Sequence, residues 1–166
     1  MNKKLVILSL ILLLILIGIF IYQKKKQSVK KIHYHAGFQV YVDNKLQDFS
    51  GIKYMSIKPC GEEEEGSEEN EQIEKAHLHD KVEDVVHVEA EGAKWKDLFT
   101  NINYKIKPNK NLTGYVNGKK IENILEYPIK SYDSIIIFSG NVDEKLIKNA
   151  VTRKKIMDVE KKSEAC

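Results

Sequence analysis

Ile32-His33-Tyr34-His35-Ala36-Gly37-Phe38-Gln39-Val40-Tyr41-Val42 is the stretch on which the fold turns. Its even positions are Ile32, Tyr34, Ala36, Phe38, Val40 and Val42; its odd positions are His33, His35, Gly37, Gln39 and Tyr41. Alternation with a period of two sends successive side chains to opposite faces of an extended chain. The spacing therefore predicts a strand with one apolar core face and a second face that carries two histidines. Asp43-Asn44 supplies turn residues, and Lys45 to Phe49 is expected to return as the second arm of a hairpin.

Beyond the hairpin, residues 61–75 hold eight Glu, two Gly and almost nothing apolar, a composition expected to form a mobile acidic loop. Val82 to Ala90 alternates again, with Val86, Val88 and Ala90 on one face and Val85, His87 and Glu89 on the other. Trp95, Leu98, Phe99 and Ile102 fall at i, i+3, i+4 and i+7, one face of a short helix. Leu112 to Val116 reads as a strand closed by the hairpin signal Asn117-Gly118. Ser134 to Phe138 is a short apolar strand expected at the centre of a sheet. Residues 141–166 have the composition of a charged helix with a modest apolar face of Leu146, Ile147, Ala150 and Val151. It is expected to pack weakly or extend into solvent. The order predicts an α+β domain, a small mixed β-sheet with one packed helix. The Tyr115 to Phe138 stretch resembles the end of a β-grasp domain without that fold's terminal glycines, so the sheet is expected to be β-grasp-like.

Charge is divided unevenly along the 166 residues. The first 31 carry seven Lys and no acidic residue, which leaves the following 135 with 20 basic against 24 acidic residues, about −4. The overall +3 thus belongs to the N-terminal segment, and a nucleic-acid partner is not expected. Two cysteines, Cys60 and Cys166, exclude a disulfide-dense scaffold and any CxxC motif. Residues 5–22 form an apolar run broken only by Ser9 and Gly18, long enough to cross a bilayer. Residues 1–23 are read as an uncleaved transmembrane anchor and signal anchor, and 24–31 as a basic linker. The lysines after the run would keep the domain cytoplasmic by the positive-inside rule. The start Met-Asn-Lys-Lys looks like a bacterial export signal, and an extracytoplasmic domain at the cell membrane is the reading taken.

Residues 32–140 are read as the metal-binding domain, because all five histidines lie between positions 33 and 87. Four form the pairs His33/His35 and His77/His79, and His87 has Glu89 at the same spacing. In a strand, residues i and i+2 share a face about 6.5 to 7 Å apart, so each pair can aim two ring nitrogens at one ion. None of His33, His35 and His87 lies on the apolar core face by pattern. Neutral imidazole suits zinc and copper, and the expected transition-metal ligands are His33, His35, His77, His79 and His87. Asp80 and Glu89 are expected to support them by accepting the second ring N–H, or Glu89 serves as a ligand or general base. Cys60 either adds a thiolate or is a bystander thiol. Met55 is the lone nearby methionine, which disfavours a thioether-rich copper(I) site.

The set His33-x-His35, His77-Leu-His79-Asp80 and His87-Val-Glu89, followed by Trp95 to Phe99 and Tyr115-Val-Asn-Gly-Lys119, resembles an uncharacterised family of small membrane-anchored bacterial and archaeal proteins. The resemblance implies an exported, metal-handling site without naming a reaction. Three functions remain open: transition-metal binding for zinc or copper handling at the cell surface; a metal-dependent enzyme, zinc hydrolase or copper oxidoreductase, with an open coordination position; and a metal-free envelope module that contacts a partner protein.

Overall fold

A computed structural model describes residues 32–56, 68–106 and 111–163, together with 12, 13 and 17. The chain divides into two compact units, Met1–Lys31 and Ile32–Cys166. Leu12, Leu13 and Ile17 are helical; the rest of the expected anchor and the basic linker lie outside the described residues, as does Cys60. Among the described residues no helix is long and apolar enough to cross a membrane.

Unit 32–166 is a mixed α+β fold. Strands β1 (Tyr34–Val42), β2 (Lys45–Leu46), β3 (Val85–Val88), β4 (Leu112–Val116), β5 (Lys119–Ile121) and β6 (Ser134–Ser139) form one sheet. Its order is β2-β1-β6-β4-β5, and β3 pairs with the N-terminal half of β1. The β1–β6 ladder is parallel, and every other ladder is antiparallel. Asp43 and Asn44 (φ 49° and 63°) and Asn117 and Gly118 (φ 49° and 80°) turn the two tight hairpins, the left-handed backbone that such two-residue loops require. The first hairpin is shorter than expected. Lys45 and Leu46 pair with β1 and Gln47 adds one backbone bond to the Val40 carbonyl at 2.8 Å, after which Phe49 leaves the edge and buries its ring 5.5 Å from Phe38.

Ala36, Phe38 and Val40 of β1, with Val86, Val88, Ile135 and Ile137, build the main core. Helix α2 (Trp95–Asn101) closes it with Trp95, Leu98 and Phe99, and Ile102 follows at its C-terminal end. The expected acidic loop is in part a helix: α1 spans Glu68–Lys75, the residue ranges 57–67 lying outside the description. Asn101 of α2 holds α1 from a distance of about 25 to 29 positions, its Nδ2 donating to the carbonyls of Gln72 (2.8 Å) and Ala76 (2.7 Å). These bonds satisfy carbonyls near the helix end that composition alone left unpaired.

A second correction concerns the other sheet face. One helix was expected to cover one face, with the C-terminal segment loosely attached, but both faces are covered. Residues 141–166 form a 3-10 helix (Glu144–Asn149) and then α3 (Arg153–Ser163), rather than one helix. Thr152 separates them, its Oγ1 accepting the Lys155 N–H at 3.2 Å as a helix cap. Ile156 and Val151 are buried with Val85, while Leu146, Ile147 and Ala150 cover Tyr41, Ile136 and Phe138. The charged composition concealed how completely Ile156 is buried.

Gly37 makes this second layer fit. A Cβ there would come within 2.6 Å of the Val151 Cβ and 3.2 Å of the Ile156 Cδ1. Gly37→Ala is expected to lower stability by about 1–3 kcal/mol through overpacking. Gly51→Ala, whose Cβ would meet nothing nearer than 3.8 Å, should stay within about 0.5 kcal/mol of the parent. Urea unfolding midpoints of the two variants check the difference.

Candidate metal centre

Cross-strand register builds the site. His35 of β1 stands directly opposite His87 of β3, and His87 in turn forms an antiparallel bridge with His77. The His77–His87 pair exchanges both backbone bonds, at 3.0 and 2.9 Å. Three neighbouring extended segments therefore bring His35, His87 and His77 into line, and the i, i+2 rule adds His33 and His79 to the same side. Ring centroids are 5.2 Å apart for His33/His35, 4.5 Å for His33/His87, 4.6 Å for His35/His87, 4.8 Å for His77/His87 and 4.6 Å for His79/His87.

Two overlapping groups could hold a metal ion, His33/His35/His87 and His77/His79/His87; within each, one nitrogen per ring lies within 4.8 Å of the others. The structure thus gathers all five predicted histidines. Asp80 and Glu89 border the cluster, whereas Cys60 lies outside the described residues. Met55 bridges to Leu78 and packs against the main core.

Burial departs from the pattern. His35, covered by α3 through Ser163, is 1 % exposed, and His87, its ring stacked on those of His33 and His77, is 5 % exposed. Desolvation of that ring, then the nearby imidazoles led by His87, lower the His35 pKa to about 3. Burial, and then His87, lower His77 to about 4. Burial lowers His87 as well, against the raising influence of Glu89. Polar contact with the His87 ring, outweighing its own desolvation, holds the Glu89 carboxyl down to about 2.

The outer nitrogens of His77 and His79 are committed. His77 Nδ1 lies 3.1 Å from the Ile73 carbonyl at the C-terminal end of α1, so its N–H donates there and Nε2 carries the lone pair. His79 Nδ1 lies 2.7 Å from Asp80 Oδ2, and a carboxylate only accepts, so again Nε2 carries the lone pair. Asp80 and Lys81 adopt φ of 56° and 60°, the turn that folds the carboxylate back onto this ring. His87 Nε2 lies 3.3 Å from Glu89 Oε1 without forming a hydrogen bond, and the hydrogen-bonded nitrogen of this ring is Nδ1, which faces His79.

His79 Nε2, with its lone pair, faces His87 Nδ1 across 2.5 Å. In the metal-free ring the His87 Nδ1 proton can bridge the two nitrogens, and a metal ion bound by both would take that proton's place. For tetrahedral zinc with bonds of about 2.0–2.1 Å, adjacent ligand nitrogens sit about 3.3 Å apart, so the rings need open by less than about 1 Å.

Three contributors escaped sequence reading. Ser163 Oγ lies 2.9 Å from the Glu160 carbonyl and hydrogen-bonds His35 Nε2 at 3.2 Å. Glu160 Oε1 stands 3.7 Å from His35 Nδ1, and the Tyr132 hydroxyl donates to Glu160 Oε2 at 2.5 Å. No spacing in the chain ties residues 132, 160 and 163 to position 35.

No family model matches this chain, and no curated protein or solved structure matches it either. The arrangement is read from its own chemistry.

Buried neutral imidazoles make acid stability predictable. Unfolded histidines take up protons below about pH 6.5, but His77 and His35 in the folded chain resist until about pH 4 and 3. Stability is present in full above about 6.5 and declines as pH falls through that window; Glu89 adds loss between about 4.5 and 2. Thermal melts of EDTA-treated protein should show a falling midpoint from pH 7 to 4.5, with a shallower slope for His35→Gln. A flat parent profile would contradict neutral burial.

Proposed function

We propose that this chain is a membrane-anchored, extracytoplasmic protein that binds a transition-metal ion, zinc or copper, through its histidine cluster. One observation carries the reading: the five imidazoles converge in two groups whose nitrogens lie within 4.8 Å of one another, and in one of them His79 Nε2 stands 2.5 Å from His87 Nδ1 while the other His79 nitrogen is held by Asp80. His77 joins them with its Nε2, its other nitrogen being fixed by Ile73. Outer partners that fix the tautomer of each imidazole are the usual surroundings of a ligating histidine. Imidazole ligation suits zinc and copper(II) and leaves the choice between them open.

His33 and His35 complete the ligand set we propose. A three-histidine group also leaves a fourth position for water. That geometry supports a second reading, a zinc hydrolase or copper oxidoreductase, in which Glu89 serves as the base. The strand order β2-β1-β6-β4-β5, with β1 and β6 parallel at its centre, supports a β-grasp-like assignment with β3 added. Fold of this kind carries no activity by itself. The apolar run of residues 5–22 and the likeness to small membrane-anchored bacterial and archaeal proteins support the location.

Full-length protein without a polyhistidine tag, dialysed against Zn²⁺ or Cu²⁺ and then metal-free buffer, is expected to retain the ion and melt at a higher temperature. His87→Ala should abolish retention. Asp80→Ala, which releases only the outer nitrogen of His79, should weaken affinity by about 10–100-fold. Background metal in the parent would sink the reading. For the location, a reporter active only outside the cytoplasm, fused after Cys166, is expected to be active; an inactive fusion beside an active cytoplasmic one would reverse the orientation.

A further inference from the structure

Five imidazoles exceed the four positions of a tetrahedral shell, and they converge as two triads that share one ring, His33/His35/His87 and His77/His79/His87. Register explains the overlap. The backbone at His87 has His35 as its antiparallel partner on one side and His77 on the other. The His87 ring accordingly stacks on His33 (4.5 Å between centroids, 17° between planes) and on His77 (4.8 Å, 22°), and it meets His35 and His79 edge-on at 4.6 Å each.

A neutral imidazole carries one ligating lone pair, on the nitrogen that lacks the proton. Whichever nitrogen of His87 that is, the ring serves one ion at a time. The triads therefore compete for His87, and filling one leaves the other with two imidazoles, short of the three protein ligands of an open zinc site. The two positions are nonetheless close. His35 and His79, one ring from each triad, stand 6.4 Å apart between centroids.

Access separates the triads. His33 is exposed, whereas His35 and His87 are buried and His77 and His79 half-buried. The His77/His79 position is also the braced one, with Nδ1 of His77 bonded to the Ile73 carbonyl and Nδ1 of His79 to Asp80. Outer bonds of this kind strengthen a ligating imidazole and fix its direction.

We propose that the cluster is a two-position relay for a single transition-metal ion: the ion is held at His77, His79 and His87 and passes to His33, His35 and His87, where it enters and leaves beside an exposed ligand. The inference rests on the metal-binding reading above and adds the stoichiometry, the division of ligands and the route. His87 stays bonded throughout, while His33 and His35 replace His77 and His79 through a passing five-coordinate shell of the kind zinc adopts. Metal–nitrogen bonds alone form and break, and no electron moves.

The test combines a count, a spectrum and a rate. Full-length untagged protein in detergent micelles is stripped with EDTA, loaded with Cu²⁺, and assayed by equilibrium dialysis and by electron paramagnetic resonance of frozen samples. The parent is expected to retain one equivalent that shows two superposed copper signals. His33→Ala should retain one equivalent with one of these signals, and His77→Ala/His79→Ala one equivalent with the other. Release of the ion to added EDTA should be slower than the parent's in His33→Ala and faster in the double variant. A parent that saturates at two equivalents, or at one with a single copper signal, overturns the relay and leaves the metal-binding reading standing; no retained ion in the parent overturns both. A double variant that melts cooperatively yet retains no ion removes the exposed position, and unchanged release from His33→Ala removes its role as the exit; either result overturns the proposal. Should the double variant fail to fold, the parent's count and signals and the release rate of His33→Ala, altered at an exposed residue, decide the matter.

Discussion

Strand β1 is packed on both of its faces, and the rest of the unit is arranged around that constraint. Its even side chains enter the main core beneath α2, while on the odd side His35 meets α3 and Tyr41 the 3-10 helix before it. A strand in that position must carry residues acceptable to two different interiors. Gly37 yields the space for Val151 and Ile156. His35, two residues earlier on the same face, is thereby drawn into a dry environment where a neutral imidazole is favoured.

Desolvation and mutual repulsion act together on the cluster. Burial and the neighbouring imidazoles disfavour protonation of His35, His77 and His87. Around the cluster, a helix carbonyl, a carboxylate and a serine hydroxyl bond the outer nitrogens of His77, His79 and His35. Such a set favours cations that accept nitrogen donors. Two carboxylates close to it, those of Glu89 and Glu160, add negative charge without displacing an imidazole.

The acidic stretch before His77 takes a structural part in this arrangement. Its last eight residues form α1, and a carbonyl of that helix, Ile73, sets the orientation of the His77 ring. Asn101 of α2 secures the helix end, so a side chain of the main-core helix indirectly steadies a ring of the cluster. The cluster is thus supported from both sides of the sheet.

Several features were legible in the chain because they depend on neighbours a few positions away. Alternation in residues 34–42 specified β1 and which side its histidines share; Asp43-Asn44 and Asn117-Gly118 specified the turns; the spacing of Trp95, Leu98 and Phe99 specified α2. Each His-x-His pair declared a common face by the same two-residue period. Local sequence carries no information on register, however, and register alone sets His35 against His87 and His87 against His77. It is equally silent on which long-range surface covers a face. Ile156 and Ser163 look like parts of a solvated helix until Gly37 lets that helix dock, and Glu160 acquires a role only when docking brings it to His35. The sequence determined the residue types and their faces through short-range backbone geometry. Tertiary packing decided their convergence, their burial and the carboxylate that α3 contributes, because those depend on contacts between segments far apart along the chain.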